Sequence, residues 1–86
     1  MLKVTESIYN ETRIDLILEG KIVGESISYL ENTCLFYLNQ DDREIFLDFT
    51  GVRYVEPGGV EMLSKLSGLK FKIVNCPIFI AELLNK

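Results

Sequence analysis

The residues of this sequence that could do chemistry are two cysteines and thirteen carboxylates, because the chain contains no histidine. Histidine is the commonest general base and metal ligand near neutral pH, so serine–histidine and cysteine–histidine catalysis are excluded. Cys34 and Cys76 alone cannot assemble a zinc site of the Cys/His type. We therefore expect no enzyme, no catalytic residue, no metal and no cofactor.

The two cysteines stand far apart, and nothing in the sequence indicates an oxidising compartment, so we expect both thiols to be reduced. Cys34 falls on the apolar face of a predicted helix and should belong to the core. Cys76 precedes Pro77 at a predicted helix start, where a thiolate would be stabilised. Cys76 could therefore be a reactive thiol or a small buried residue, and we favour the small buried residue.

A second candidate is the segment Glu56-Pro57-Gly58-Gly59. Proline suits the first turn of a helix, and a carboxylate is favoured there by the helix dipole. The two glycines could cradle a phosphate, but no lysine follows at P-loop spacing and Glu56 would repel an anion. We favour a tight turn that permits a close approach of the backbone.

Acidic residues dominate the charge of the chain. The net charge is −4, the pI is about 4.7, and the nine basic residues are scattered. Nucleic acid needs a basic footprint, and so does an anionic membrane surface, so neither is an expected partner. Asp41, Asp42 and Glu44 could hold a hard cation, but calcium loops need more oxygen ligands at regular spacing. We expect a solvated loop there.

Length and composition indicate one globular domain over residues 1–86. The apolar fraction is 48% and the charged fraction 26%, both close to the globular average. No apolar run approaches the roughly 18 residues that span a bilayer, and residues 1–10 lack the apolar core of a signal peptide. We therefore expect a cytoplasmic protein without direct membrane insertion.

The first half of the chain predicts a hairpin followed by a helix. In residues 2–6 and 14–19 apolar side chains recur at every second position, on either side of a turn at 10–12, which predicts two antiparallel strands. From about Glu25 to Asn39 the apolar residues recur every three or four positions, which predicts a helix. Its core face carries Ile27, Leu30, Cys34 and Leu38. Its aromatic residues could form a contact surface or lie wedged between two layers: Tyr29, Phe36 and Tyr37.

The second half alternates strands with helices. Residues 45–49 are nearly all apolar and predict a central strand covered on both faces, with a connecting loop at 51–54. A helix should begin at Pro57, and Pro77 should start the last one. Between them lies a strand whose lysines, Lys70 and Lys72, are typical of a guarded edge. The predicted fold is α/β in the order β-β-α-β-α-β-α, a mixed four-stranded sheet with an N-terminal hairpin and later parallel strands packed by helices.

The stretch from Ile45 to Leu63 resembles the signature of the STAS family, the sulfate-transporter and anti-sigma-factor-antagonist domains. In that family an apolar strand ends in Leu-Asp-Leu-Ser-Gly-Val, and Ile-Asp-Ser-Ser-Gly-Leu then opens a helix. Here the corresponding residues are Leu47-Asp48-Phe49-Thr50-Gly51-Val52 and Val55-Glu56-Pro57-Gly58-Gly59-Val60. Residues 18–22 and 72–77 resemble two other strands of the family, so the resemblance covers about residues 2–84.

The resemblance implies a bacterial regulatory module that binds a protein. In anti-sigma-factor antagonists this loop and helix dock on a kinase, which phosphorylates the second serine and separates the complex. Glu56 stands at the family's aspartate, Pro57 at its first serine, and Gly58 at the phosphoacceptor. Glycine has no hydroxyl, so no phosphorylation is expected there, unless another hydroxyl replaces it: Thr50, Ser64 or Ser67.

We therefore expect a non-catalytic interaction module that resembles an anti-sigma-factor antagonist without its phosphorylation switch. The partner would be a protein, either an anti-sigma or serine-kinase-like ATPase or a transporter ATPase. The expected binding surface comprises Arg53, Glu56, Pro57, Gly58, Gly59 and Glu61.

Three alternatives stay open. The chain could be a small cytoplasmic STAS subunit of an ABC transporter complex. It could be a structural homo-oligomer, with a homodimer formed through the edge strand Lys70–Val74. It could also bind a small ligand, which a deep polar pocket at the carboxyl ends of the strands would support.

Overall fold

The computed structural model describes residues 2–40, 43–66 and 71–84. Strands and helices follow one another in the predicted order: β1 (Leu2–Asn10), β2 (Arg13–Ile22), α1 (Glu25–Gln40), β3 (Glu44–Val55), α2 (Pro57–Leu66), β4 (Phe71–Val74) and α3 (Ile78–Leu84). The sheet order is β1-β2-β3-β4; β1 is antiparallel to β2, and the other neighbours are parallel. The predicted fold class and mixed sheet are confirmed.

The hairpin turn is held by the side chain of Asn10. Its Oδ1 accepts hydrogen bonds from the backbone N–H of Thr12 at 2.8 Å and from the Thr12 hydroxyl at 2.9 Å. An asparagine side chain that bonds two residues ahead mimics a backbone turn, which is why the chain reverses there. Both strands of the hairpin are longer than the sequence alone predicted.

All three helices lie on one face of the sheet. The connections from β2 to β3 and from β3 to β4 step across the sheet in the same direction, and such connections are right-handed, so α1 and α2 share a face. These two helices contact each other, and α3 packs on α2. None of the helices in the described ranges is long and apolar enough to cross a membrane.

The prediction that β3 is covered on both faces is wrong. Ile45, Leu47 and Phe49 are buried under the helices, but Phe46 and Asp48, which point the other way, are only half-buried. The uncovered face carries ion pairs between neighbouring strands and within β2: Lys3–Glu19 at 3.9 Å, Arg13–Asp15 at 2.8 Å and Lys72–Glu44 at 3.3 Å. The Arg13 guanidinium also lies 3.9 Å above the Phe46 ring. This pairing suits a face in contact with water.

The predicted loop at 51–54 is also wrong, because β3 continues through it to Val55. The strand remains paired with β2, although the register shifts between Ile17 and Glu19 and again after Gly20. A Cβ atom on Gly51 would lie 2.9 Å from the Glu19 Cγ and 3.0 Å from the Leu18 carbonyl oxygen. The glycine that suggested a loop therefore permits a close approach of two strands at a bulge.

The predicted core face of α1 is confirmed. Leu30 and Cys34 are buried, and Ile27 and Leu38 pack against the core from its border. The three aromatic residues are not wedged between layers: Tyr29 and Phe36 are exposed, and Tyr37 is half-buried.

The predicted edge at Lys70–Val74 is described only in part. β4 spans Phe71–Val74 and does lie at an edge of the sheet, while Lys70 lies outside the described residues. Asp41, Asp42 and Ser67 also lie outside them.

Candidate partner-binding surface

The start of α2 is built as the sequence predicts. Pro57 is the first helical residue, and the Glu56 carbonyl accepts the first hydrogen bonds of the helix, from Gly59 N at 2.8 Å and Val60 N at 3.0 Å. Proline fits because its missing N–H would have no partner at this position. The Glu56 N–H donates to the Ile22 carbonyl at 3.0 Å, which fixes the start of α2 to the end of β2.

The Glu56 side chain caps a different helix from the one that it precedes. Its Oε2 accepts a hydrogen bond from the backbone N–H of Gly24 at 2.8 Å, directly before α1 begins at Glu25. Gly24 has a φ of 53°, a left-handed conformation that glycine adopts without strain. The carboxylate therefore joins the two loops at the carboxyl ends of β2 and β3.

The two glycines of α2 have different surroundings. A Cβ atom on Gly59 would lie 3.0 Å from Val55 Cγ1 and 3.1 Å from Ile22 Cγ2, so only glycine lets the helix pack this closely on the strands. The exposed Gly58 would bring a Cβ no nearer than 3.5 Å to Ile27 Cδ1, an ordinary contact. Gly59 is thus a packing residue beneath the predicted surface, and Gly58 is part of the surface itself.

An apolar groove of about 670 Å³ lies between α2, the end of β3 and α3. Tyr54 and Val60 line it, and Leu83 contributes from α3. Charged and polar groups stand around the apolar residues, and the complete lining is Tyr54, Val55, Pro57, Val60, Glu61, Ser64, Lys65 and Leu83. Of the predicted surface residues, Pro57 and Glu61 face this groove.

Arg53 does not line that groove. It borders an open, polar cleft at the carboxyl ends of β2 and β3, together with Glu19, Lys21 and Thr50. Backbone of both strands forms much of the remaining wall. The structure therefore divides the predicted surface between two concave regions that meet at the end of β3.

Asp48 lies within β3, because the strand continues past it to Val55. Its Oδ1 accepts hydrogen bonds from the Thr50 hydroxyl at 2.7 Å, the Thr50 N–H at 2.9 Å and the Asn75 amide at 3.3 Å. These bonds favour the ionised form and hold the pKa of Asp48 below its usual value. The carboxylate is therefore a fixed acceptor, and the Thr50 hydroxyl is engaged in a hydrogen bond to it.

Both cysteines are free thiols. Burial, with a smaller contribution from the charge of Glu31, raises the pKa of Cys34 to about 12, as expected for a core thiol. Burial also raises the pKa of Cys76, which disfavours the thiolate that a helix start was expected to stabilise. The interpretation of Cys76 as a small, partly buried residue agrees better with these surroundings.

The apolar residues that form the groove are not among those predicted from the sequence. Tyr54 falls in the loop predicted at 51–54, and Leu83 falls in the last predicted helix, to which the sequence pattern gives no role in a site. A signal was available on α2, where Pro57, Val60, Glu61 and Ser64 recur at helical spacing and so share one side of the helix. The contribution of α3 depends on how two helices pack, which no local pattern contains.

Comparison with known proteins supports the fold. No protein-family model and no curated protein sequence matches the chain. Among solved structures, the chain is similar to the anti-sigma factor antagonist SpoIIAA in its unphosphorylated form, with a TM-score of 0.75 and 11% sequence identity. The alignment covers 96% of this chain and 82% of that one. At this level of identity the similarity establishes the architecture alone: the chain has a STAS-like fold of the SpoIIAA type.

Proposed function

We propose that this chain is a non-catalytic regulatory module of the anti-sigma-factor-antagonist type, and that its protein partner docks on the groove between α2 and α3. The observation that carries this proposal is the composition of the groove. Tyr54, Val60 and Leu83 form an apolar centre, and Glu61 and Lys65 stand at its border. Protein interfaces combine such a desolvated centre with a polar rim.

The exposure of these side chains determines how much binding free energy a partner can gain by covering them. Tyr54 is 47% exposed and Leu83 38%, and they are two of nine large apolar side chains that are exposed in the described part of the chain. Complete burial of such a side chain is worth about 1.5–3 kcal/mol, so covering the exposed part of each contributes about 1 kcal/mol. Two or three such anchors suit a reversible regulatory complex better than an obligate assembly.

The charged border supplies specificity. Lys65 follows Glu61 by four residues on α2, and both line the groove. Arg53 extends the charged region into the neighbouring cleft. Among the described residues, Arg53, Glu61 and Lys65 form no ion pair, so their charges are available to a partner. Charges at an interface rim mainly select the partner and speed association.

Binding would not be switched by a phosphate at the start of α2, because Gly58 carries no hydroxyl. The neighbouring Thr50 hydroxyl donates to Asp48 at 2.7 Å and lies in β3. Without a hydroxyl at the helix start, the module would act through its concentration or through its partner's state, and a phosphate-dependent switch would require another hydroxyl, such as that of Ser64 in the groove lining. This distinguishes the proposal from a phosphorylated antagonist of the same fold.

Affinity purification from the source cells, with the recovered proteins identified by mass spectrometry, tests the proposal. Three tagged forms are compared: the unchanged chain, Leu83→Lys in the groove, and Ile78→Lys, a control on α3 outside the groove lining that is 77% exposed. We expect one partner to be retained by the unchanged chain and the control but lost by Leu83→Lys. Equal recovery with both variants, or recovery of the chain alone, would contradict the proposal.

The recovered partner also distinguishes the two regulatory settings. An anti-sigma factor or serine-kinase-like ATPase would indicate transcriptional signalling. A transporter ATPase would instead indicate a subunit of a transport complex. Either kind of partner would bind the same groove, so the comparison of the Leu83→Lys and Ile78→Lys variants applies to both.

A further inference from the structure

The outer side of β1 is an unusually long free edge for a small sheet. β1 spans nine residues, whereas β4 at the opposite edge spans four. No strand in the described ranges pairs with that outer side, and the pairing of β1 with β2 is regular from Leu2 to Ile8. Such an edge presents a row of unpaired backbone groups, which proteins normally block with lysine, proline or bulges. Here the only lysine is Lys3, which already pairs with Glu19.

Exposed apolar residues adjoin this edge on the helix side of the sheet. Ile8 is 60% exposed, and it lines a shared cavity with Tyr37 of α1. The Tyr37 hydroxyl donates a hydrogen bond to the Glu6 carboxylate on β1, and the Phe36 ring meets the Tyr37 ring edge-on at 5.3 Å. We refer to Ile8, Tyr29, Phe36 and Tyr37 as the β1–α1 patch.

We propose that β1 pairs antiparallel with β1 of a second copy of this chain, so that the two sheets join into one and the two β1–α1 patches cover each other. The symmetry axis passes near Thr5. This edge differs from the Lys70–Val74 edge that the sequence suggested, and the inference does not depend on the proposed partner.

The side chains of β1 favour this register over its neighbours. Centred on Thr5, the pairing sets Thr5 against Thr5, Lys3 against Ser7, Val4 against Glu6 and Leu2 against Ile8 of the second copy. Threonine pairs across strands are favourable, and the Leu2–Ile8 pair extends the core. Centring on Glu6 would instead oppose two carboxylates, and centring on Val4 would leave Ile8 unpaired. An axis placed between two residues would pair side chains that point to opposite faces of the sheet. Directly paired residues must share a face, so such registers are excluded.

The aromatic residues fill the space that this arrangement creates above the joined edges. Neighbouring strands lie about 4.8 Å apart, so the two β2 strands would be about 14 Å apart. Packed helices are normally separated by about 8–10 Å, and α1 lies over β2 and β3. The two α1 helices are therefore too distant for direct backbone packing. Tyr29, Phe36 and Tyr37 from both copies are large enough to occupy the gap.

Sedimentation equilibrium of the purified chain at several concentrations tests the association. We expect a mass near twice 9.9 kDa at the upper end of the range and monomer on dilution. Ile8→Lys should remain monomeric throughout, while Ile78→Lys should behave as the unchanged chain, because Ile78 lies on α3 and is even more exposed, at 77% against 60%. A monomer at all concentrations, or association that survives Ile8→Lys, overturns the proposal.

Engineered cysteines test the register independently of any effect on folding. In a Cys76→Ser background, Thr5→Cys places two thiols opposite each other at the axis, within disulfide range. Ser7→Cys is the matched control, because its thiols would lie four residues apart along the strands, about 13 Å. We expect mild oxidation to cross-link the Thr5→Cys chains and leave the Ser7→Cys chains monomeric. The reverse pattern, or equal cross-linking, overturns the proposal.

Discussion

The carboxylate of Glu56 and the backbone N–H of Gly24 meet at 2.8 Å, although the two residues are 32 positions apart in the chain. This bond joins the loop before α1 to the loop before α2, and so sets the two helix starts relative to each other. Glu56, which stands at a signature position of the family, therefore has a structural role in this chain.

Replacing Glu56 with alanine should lower the free energy of unfolding by about 1 kcal/mol, because its charge-assisted hydrogen bond to the Gly24 N–H is lost at a partly exposed site. Glu56→Gln keeps an acceptor oxygen and should lose less. Urea denaturation measures both, with the exposed Glu61→Ala as control. If Glu56→Ala proved as stable as the control, the bond to Gly24 would contribute nothing.

Adjacent glycines in the first turn of α2 should respond in opposite directions to alanine. Gly59→Ala forces a Cβ to within 3.0 Å of Val55 and 3.1 Å of Ile22, which should cost about 1–3 kcal/mol of stability. Gly58→Ala meets only an ordinary contact at 3.5 Å and should gain about 0.5 kcal/mol from the higher helix propensity of alanine. Thermal unfolding of the two variants distinguishes them, and similar changes in both would refute the packing role of Gly59.

The order of strands and helices could be predicted from the sequence because it depends on local periodicity. The run Ile14-Asp15-Leu16 alternates as a half-buried strand must, and Leu30 and Cys34 recur as a helix face must. The continuation of β3 through Gly51 could not be predicted in this way, because that glycine accommodates the neighbouring strand. The open face of the sheet was also missed, since it follows from the direction of two crossovers rather than from composition.

Stability at low pH should depend in part on Asp48. Its pKa is lowered in the folded state, first by the Thr50 hydroxyl and then by the Thr50 N–H, so its contribution is present above its ordinary value of 3.8. The contribution is lost as the pH falls below that value through the lower folded pKa. Asp48→Asn should therefore flatten the fall in melting temperature below about pH 4. Identical acid profiles for the two proteins would contradict this prediction.

Thiol chemistry should separate the two cysteines. Cys34 is buried, with a pKa raised to about 12, so it should not react with a thiol-specific disulfide reagent until the chain unfolds. Cys76 is partly exposed and also has a raised pKa, so it should react, but slowly. Counting reactive thiols before and after denaturation checks this, and Cys76→Ser should remove the native-state reaction. Rapid reaction in the native chain would instead indicate an activated thiol.

The candidate surface was only partly predictable. Pro57 and Glu61 were located by their place in a recognisable signature, and both face the groove. Tyr54 and Leu83 could not be identified as its apolar centre, because β3 and α3 meet α2 only after the sheet has formed. Gly59 was placed on the surface by its sequence position, but packing against Val55 puts it beneath the surface.

The affinity of the recovered partner for groove variants tests the central claim most directly. Calorimetric titration should show binding by Leu83→Lys at least about tenfold weaker than by the unchanged chain, because an apolar anchor is replaced by a charge that must be desolvated. Ile78→Lys, which alters the same helix outside the groove lining, should bind within about twofold of the unchanged chain. Equal affinities for all three, with melting temperatures that show each is folded, would contradict the assignment of the groove as the docking site.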